Sequence, residues 1–503
     1  MRRLFSLLLA CTLFLSGCGH AGTESSAASA SGASAASASP QPETDAAGST
    51  PFTLAAYPTH SFHPVLTDSS ANATLAPLLY ENLFSLDGQF QAVPQLCQSY
   101  TVSEDGLTWI FTLQPGVTFS DGTPLTGEVV AQALQTARGE GSRYAARLSG
   151  LSSIQGSGSQ VTITLSQANG GLPQLLNIPI ALDNSERPLG TGPYVLTDSG
   201  GDLILTARSD WRGGVNTLPA QQIPLASLSR SEELMSSFHA GEVSLIDVDL
   251  TGNSTLGSAG QYQVWDYDTT QLLYLGFNAQ QGLCRDADVR QAITRAIDRD
   301  YVAETIFARH ASPTVFPIHP DSPLYDHALA ADLSYDLSAL TDLALNGRSV
   351  TLVVNIENTA KSAVANHVAQ QLESAGLVVS VERLPWAEYQ ETVAAGRFDL
   401  YIGELYLTPD FDLSPLLGVG GSLNYGGWTS NVIGSLLFTF RSAQEDSRAS
   451  AAAALCRHLA QQAPIAPICF RSGTVLTQYG RVTGLSPVYG NIFSQLESWT
   501  IQG

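Results

Sequence analysis

The most distinctive stretch of the chain is Asp105-Gly106-Leu107-Thr108-Trp109-Ile110-Phe111-Thr112-Leu113, followed closely by Gly116-Val117-Thr118-Phe119-Ser120-Asp121-Gly122-Thr123-Pro124-Leu125. β-Branched and aromatic residues predict a strand at 108–113 and a partner strand at 100–102. The segment 103–106 predicts the turn between them, because Asp and Gly favour turn conformations. Gly116 and Gly122, and further along Gly190 and Gly192, are expected at turn positions that need a positive φ.

Strands and helices alternate in the second half of the chain. Apolar patterns predict strands at 272–277, 350–355, 378–381 and 398–402, and helices at 361–375 and 386–395. A connected apolar face also predicts a helix at 76–84. Strands that alternate with helices indicate a mainly parallel sheet covered by helices on both faces.

Several blocks occur in the order typical of one protein family. They are Leu79-Tyr80-Glu81-Asn82-Leu83, the stretch 105–125, Gly190-Thr191-Gly192-Pro193-Tyr194, Gly276-Phe277-Asn278, Val289-Arg290-Gln291-Ala292-Ile293 and Arg397-Phe398-Asp399. With these blocks the chain resembles the large solute-binding proteins of bacterial peptide, dipeptide and nickel ABC importers (solute-binding family 5).

The resemblance implies an α/β, periplasmic-binding-protein-like fold (type II, large cluster C form). Such a fold has two lobes joined by a hinge of two crossing strands, and the ligand is buried between the lobes. We expect lobe I at 51–270 plus 471–503, with an extra subdomain at about 75–185, and lobe II at 271–470.

The first fifty residues are predicted to be a secretory leader and a tether. Arg2 and Arg3 precede a short apolar run that ends in Leu15-Ser16-Gly17-Cys18. This pattern predicts a signal peptide at 1–17 and resembles the bacterial lipobox, which implies lipidation of Cys18. The segment 18–50 is rich in Ser and Ala, which is typical of a flexible linker. We therefore expect an extracytoplasmic protein anchored in the cell membrane by lipid.

The charge and the motifs exclude several functions. The net charge is −22, so a basic surface that could neutralise phosphates of nucleic acid is not expected. The sequence lacks Gly-x-Ser-x-Gly, His-Glu-x-x-His and P-loop motifs. We therefore expect neither enzymatic activity nor a cofactor. His60 and His63 are interpreted as loop histidines, with a metal role left open.

Four cysteines follow Cys18: Cys97, Cys284, Cys456 and Cys469. Their scattered spacing does not indicate a zinc site. An exported protein can form disulfides, and Cys456 with Cys469 is the pair we expect if one forms. Free buried thiols are the alternative.

The resemblance also implies ligand-binding residues. In peptide-binding family members an acidic residue shortly after the strand marked here by Phe398-Asp399 meets the ligand's α-ammonium, so Asp410 or Asp412 is the candidate. Either carboxylate could instead cap the next helix. Trp386, Tyr406 and Trp428 are candidate aromatic surfaces, with core packing as the alternative, and Asn278 could offer an amide to the ligand.

The expected function is the capture of di- or oligopeptides in the interlobe cleft and their delivery to the permease and ATPase subunits of an ABC importer. The protein is expected to act as a monomer without nucleic acid. Two alternatives stay open. One is a binding protein for another solute, such as a nickel chelate or an oligosaccharide, and the other is an enzyme or a sensor that reuses the fold.

Overall fold

The computed structural model describes residues 51–251 and 262–502. The predicted signal peptide, Cys18 and the 18–50 linker therefore lie outside the described residues. The strands are β1 (Leu54–Ala56), β2 (Phe84–Leu86), β3 (Ala92–Pro94), β4 (Cys97–Val102), β5 (Thr108–Leu113), β6 (Leu151–Ser157), β7 (Gln160–Leu165), β8 (Tyr194–Ser199), β9 (Asp202–Ala207), β10 (Gln222–Ser227), β11 (Leu245–Val248), β12 (Tyr262–Phe277), β13 (Ala311–Pro313), β14 (Ser349–Asn355), β15 (Val378–Leu384), β16 (Leu400–Tyr406), β17 (Ile465–Gln478), β18 (Val482–Thr483) and β19 (Thr500–Ile501).

The helices are α1 (Ser70–Thr74), α2 (Ala76–Leu79), α3 (Gly127–Arg138), α4 (Leu172–Leu175), α5 (Glu233–His239), α6 (Ala287–Arg295), α7 (Arg299–Tyr301), α8 (His327–Ala331), α9 (Ser338–Thr341), α10 (Thr359–Ser374), α11 (Trp386–Ala394), α12 (Ser414–Leu417), α13 (Ile433–Ser442) and α14 (Glu445–Gln462). Among the described residues, none of the helices has both the length and the apolar character needed to cross a bilayer.

The largest sheet has the order β11-β17-β12-β16-β14-β15, with β13 paired to β17. In it β14 is parallel to β15 and to β16, whereas β12 runs antiparallel to both β16 and β17. The expectation of a mainly parallel sheet is therefore wrong. The helix-linked strands β14, β15 and β16 are parallel as predicted, and β17 runs in the same sense, but β12 inserts between β16 and β17 in the opposite sense.

The long strands β12 and β17 pair with each other from Tyr262↔Gln478 to Gly276↔Ile465. Their register shifts between Asp268 and Gln271, and Gln271 pairs with Arg471. The C-terminal part of β12 (271–277) also pairs with β16. The C-terminal part of β17 (474–477) also pairs with β11. The domain boundaries expected at 270/271 and 470/471 fall at this shift, and the division into lobes at these residues stays a prediction.

The predicted subdomain contains its own sheet and core. The antiparallel sheet β4-β5-β7-β6 carries the strands predicted from the stretch 100–113. Its buried side chains, such as Trp109 and Phe111, pack with the apolar face of α3. Gly116 (φ 72°) and Gly122 (φ 88°) have the positive φ expected of them.

The helix expected at 76–84 ends at Leu79. The main-chain N–H of Gly192 donates to the Leu79 carbonyl at 3.0 Å, and a Cβ on Gly190 would lie only 2.0 Å from the same oxygen. Neither glycine has a positive φ, so that expectation is wrong for both. They are needed because only a residue without a side chain lets this segment reach the end of α2.

The four cysteines that the structure describes are free and buried. Cys456 and Cys469 belong to separate core clusters, which pack alternate residues of β12 and therefore cover opposite faces of the large sheet. The pairing expected from the sequence is therefore wrong. Burial raises the pKa of Cys97 to about 11 and the pKa of Cys456 to about 12, so both thiols are inert at neutral pH.

Candidate functional site

A cavity of about 490 Å³ lies between two segments that are far apart in sequence. One wall comes from residues 146–175 in the subdomain, and the other comes from residues 405–441, beginning at the end of β16. Charged side chains line both walls, namely Arg147 on the first and Asp410, Asp412 and Arg441 on the second. We call this space the main cavity. Its volume is in the range of small-molecule sites.

A second cavity, of about 390 Å³, lies beside the first. The hairpin β2–β3 and the start of α4 form one side, and the turn 409–411 with the start of α14 forms the other. We call this space the distal cavity. Asp410 lines both cavities, so it stands at the boundary between them.

Direct contacts between the two walls separate the cavities. Asn169 Nδ2 donates to Asp410 Oδ2 at 2.8 Å, and the N–H of Gly170 donates to the Arg441 carbonyl at 2.8 Å. Arg441 also donates to the side chain of Gln167. We call these contacts of 167–170 with Asp410 and Arg441 the bridge. A Cβ on Gly170 would lie 1.9 Å from the Ala443 carbonyl oxygen, so the bridge depends on a glycine at this position.

The turn after β16 places Asp410 at the bridge. Phe411 has a φ of 54°, and its N–H donates to the Thr408 carbonyl at 2.8 Å. A left-handed backbone at a residue other than glycine is strained, and such strain concentrates at functional sites. The Phe411 ring is fully buried and meets Phe90 of the β2–β3 hairpin at 5.4 Å between centroids, so an aromatic contact also joins the two sides here.

Asp410 is a buried carboxylate without an ion-pair partner. The residue is only 2% exposed. Its carboxylate accepts the Asn169 amide and, at 3.4 Å, the N–H of Asp412. In the described part of the chain, neither Asp410 nor Asp412 forms a salt bridge. A buried carboxylate is unfavourable unless its charge is compensated. The Arg448 guanidinium lies nearby but does not pair with it directly, so a ligand cation could complete the compensation.

Asp412 and Tyr406 also line the main cavity. Asp412 Oδ1 accepts the N–H of Ser414 at 3.0 Å and its hydroxyl at 2.5 Å. One of its oxygens therefore supports the turn before α12, although the N-cap residue of that helix is Leu413 and it makes no side-chain capping bond. Tyr406 is 64% exposed and can offer its ring to a ligand.

The other three candidate residues line neither cavity. Trp386 is exposed at the start of α11 and stacks on Tyr389. Trp428 is buried in the core of the large sheet. Asn278 is buried, and its Nδ2 donates to the carbonyls of Gly396 and Phe398 at 3.0 Å each. These contacts support core packing for Trp428 and a structural role for Asn278, whereas the exposed Trp386 belongs to no core. The roles of all three in binding stay predictions.

A charged network lies where β12 and β17 cross. Arg471 of β17 donates to Asp249 at 2.6 Å, to Thr251 at 2.6 Å and to Glu404 at 2.5 Å. Glu404 also binds the ammonium of Lys361 at 2.6 Å. Burial acts to lower the pKa of Arg471, but the charges of Glu404 and Asp249 outweigh it and hold the pKa above its usual value. The network joins segments from both sides of the expected 270/271 boundary.

Comparison with known proteins identifies the family of the chain. The family model of the bacterial extracellular solute-binding proteins, family 5, matches residues 91–425. The chain belongs to this family. This family 5 protein is similar to the oligopeptide-binding protein AppA of Bacillus subtilis, at 23% identity over 79% of the chain and 78% of AppA.

Two solved structures show the same fold as this family 5 protein. HbpA2 from Haemophilus parasuis superposes with a TM-score of 0.74 at 19% identity, covering 90% of this chain and 99% of HbpA2. NikZ from Campylobacter jejuni, solved in complex with Ni(L-His), superposes with a TM-score of 0.62 at 15% identity, covering 89% of this chain and 98% of NikZ. The expected periplasmic-binding-protein-like fold, with two lobes and crossing hinge strands, is therefore confirmed.

Sequence reasoning missed Asn169, Gly170, Arg441 and the buried Arg448 of α14. Asn169-Gly170-Gly171 is a turn signal that reads as an ordinary loop. Arg441 and Arg448 lie in helices, where an arginine is normally solvated. The adjacent glycines Gly170 and Gly171 are the one sequence signal that indicates a close approach of two segments.

Proposed function

We propose that this family 5 protein is the extracytoplasmic substrate-binding component of an ABC importer and captures peptides between its lobes. The observation that carries the proposal is Asp410, a buried carboxylate that has no salt bridge within the described residues and lines both cavities. An α-ammonium would compensate this charge. The similarity to the oligopeptide-binding protein AppA supports the same class of ligand. Binding by itself needs no covalent chemistry, so we propose no enzymatic activity.

Peptide binding can be broad at this site. The ammonium is common to all peptides, and the exposed ring of Tyr406 can pack against varied side chains. Closure of two lobes around a ligand excludes water and gives the permease a distinct shape to recognise. The permease, its ATPase and a monomeric state of the binding protein are parts of this proposal.

The ammonium anchor is tested by calorimetry with a free peptide and its N-acetylated twin. A hydrogen bond to a charged group contributes about 1.5–3 kcal/mol, so acetylation is expected to weaken binding roughly ten- to a hundredfold. Asp410→Asn is expected to cause a similar loss, and Asp412→Asn a smaller one because Ser414 already binds that carboxylate.

The matched control is Asp332→Asn, which changes an exposed aspartate outside both cavities. It is expected to leave affinity unchanged. If wild type, Asp410→Asn and Asp412→Asn all bind the free and the acetylated peptide with equal affinity, the carboxylates do not bind the ligand's ammonium. In that case an uncharged ligand would be the better explanation of the cavities.

Contacts of the described residues favour a peptide over the alternative solutes. Neither cavity has a histidine among its lining residues. His60 instead pairs with Asp68 at 2.8 Å, and His63 is buried with Nδ1 bound to the N–H of Val65. Tyr406 is the one aromatic residue that lines the main cavity. Of the four aromatic residues that line the distal cavity, only Tyr100 is exposed, whereas sugar sites rely on several stacking rings.

One group of metal-type side chains lies near the strand crossing, namely Asp268, His319 and Asp321. His319 Nδ1 accepts the N–H of Asp321 at 3.2 Å, so in the neutral ring the proton is on Nε2, which lies 3.4 Å from Asp268. A metal on Nε2 would require this proton to leave, and neither cavity includes these residues. The group therefore gives no support to a nickel ligand.

We also propose that lipidation of Cys18 holds the protein at the outer face of the cell membrane. The support is the apolar run that ends in Leu15-Ser16-Gly17-Cys18. Two acyl chains anchor a protein stably, whereas one binds reversibly. Cys18→Ala is therefore expected to move most of the protein from the membrane fraction to the soluble fraction on cell fractionation. Full retention of the variant in the membrane fraction would contradict the anchor.

A further inference from the structure

We propose that the distal cavity is a carboxylate-binding subsite and that Arg448 is the residue that binds the carboxylate. This inference rests on the proposed function, because it assigns the carboxylate to a peptide ligand. The subsite limits the preferred ligands to peptides whose free C-terminus or acidic side chain reaches the distal cavity.

Arg448 is a buried cation with unused hydrogen-bond donors. The residue is 5% exposed and lines the distal cavity. Its Nη2 donates to the Asp410 main-chain carbonyl at 2.7 Å. Its Nε and Nη1 have no hydrogen-bond partner among the described residues. Buried donors are almost always satisfied in native proteins, so these two nitrogens indicate that a partner is supplied from outside the chain.

The surroundings keep the guanidinium in place but do not neutralise it. Its centre lies 5.0 Å from the centroid of the Phe440 ring, in a cation–π position. Burial lowers the pKa of Arg448, and the charges of Asp410 and Asp412 only partly oppose this effect. Glu445 lines the same cavity one helical turn earlier but forms no salt bridge with Arg448 within the described residues.

A second unpartnered atom lies in the same cavity. Gln174 lines it, and its buried Oε1 has no hydrogen-bond partner in the described part of the chain. The amide group of Gln174 can therefore turn to present its nitrogen as a further donor. The two unpartnered nitrogens of Arg448 lie on different edges of the guanidinium. A carboxylate can therefore bind one of them together with the second hydrogen of Nη2, in the bidentate manner usual for arginine, and Gln174 adds a further donor.

The subsite is adjacent to the proposed ammonium anchor. Arg448 touches the main chain of Asp410, and the Asp410 carboxylate faces the bridge between the cavities. A ligand whose ammonium lies at Asp410 therefore has its other end within reach of the distal cavity. Charges of opposite sign next to each other fit a zwitterionic ligand.

The test is calorimetry with two pairs of peptides. The first pair is Ala-Ala-Ala and its C-terminal amide, and the second is Ala-Glu-Ala and Ala-Gln-Ala. Loss of the bound carboxylate is expected to weaken binding to the wild-type protein about ten- to a hundredfold. A loss in the first pair assigns the subsite to the C-terminus, and a loss in the second pair assigns it to an acidic side chain. The two peptides of the pair that differed in wild type are expected to bind Arg448→Gln with equal affinity.

Two further variants make the result decisive. Arg147→Gln changes one of the two arginines of the main cavity and is expected to keep the full discrimination. Arg448→Lys keeps the charge but cannot bind in a bidentate manner, so its discrimination is expected to fall about tenfold, and it replaces Arg448→Gln if that variant does not fold.

The outcomes separate this inference from the proposed function. The subsite is overturned if the Arg448 variants discriminate between the members of a peptide pair as strongly as wild type does. It is also overturned if Arg147→Gln, rather than the Arg448 variants, loses this discrimination. Equal binding of both members of both pairs to the wild-type protein overturns it as well. In each of these cases peptides still bind, so the proposed function stands. If no peptide binds to the wild-type protein, the proposed function itself is wrong.

Discussion

Arg471→Gln is expected to lower the free energy of unfolding by about 3 kcal/mol, the low end for breaking a buried ion pair, because Asp249 is half exposed and Glu404 keeps Lys361. The Arg471 side chain is only 3% exposed. Without it Asp249 loses both of its charged hydrogen bonds, and Glu404 keeps only Lys361. Urea denaturation followed by circular dichroism measures the change.

Arg397→Gln is the matched control. It removes an arginine from a salt bridge with Glu391 in which both side chains are more than half exposed. Exposed pairs contribute little, so the change is expected to stay within about 1 kcal/mol. If the two variants unfold at the same denaturant concentration, the network at the strand crossing does not stabilise the fold as described.

Gly170→Ala is expected to prevent the two walls of the main cavity from meeting and so to weaken ligand binding. The new Cβ would lie 1.9 Å from the Ala443 carbonyl oxygen, far inside a normal contact. Overpacking of this kind costs about 1–3 kcal/mol, which corresponds to a roughly five- to 150-fold loss of affinity. Calorimetry measures the affinity, and small-angle scattering reports whether ligand still makes the protein more compact.

Gly434→Ala provides the control within α13, since a Cβ there meets no atom within 4 Å. It is expected to bind and close as the wild-type protein does. The thermal unfolding of ligand-free Gly170→Ala is expected to change little, because the bridge joins two walls rather than a core. Wild-type affinity together with ligand-induced compaction in Gly170→Ala would show that the bridge has no part in closure.

Local patterns in the sequence predicted most elements that carry the site. The strand at 350–355 and the helix at 386–395 correspond to β14 and α11, because each has a clear apolar period of its own. The helix at 76–84 failed because a distant glycine segment ends α2 at Leu79. The parallel sheet failed for a similar reason, since the pairing of β12 with β17 is set by long-range contacts rather than by local alternation.

The site was less predictable than the fold. Asp410 could be proposed because its place after a strand end matched the family pattern, and the structure places it between two cavities. Trp386 and Trp428 could not be separated from packing residues, because their side-chain environments depend on segments elsewhere in the chain. Arg448 could not be predicted for the same reason, since its burial depends on Gly171, Phe440 and the Asp410 main chain, which come from other segments.

Lys361 gives the molecule a chemical reporter of its hinge. It is the only lysine in the sequence, and its ammonium is paired with Glu404 in a side chain that is only 10% exposed. An ammonium in such a pair is a poor nucleophile toward acylating reagents. An amine-directed label therefore has one lysine target in the whole chain. Its rate of incorporation reports how often the Lys361–Glu404 pair, which is part of the Arg471 network, opens, and no engineered cysteine or dye is needed.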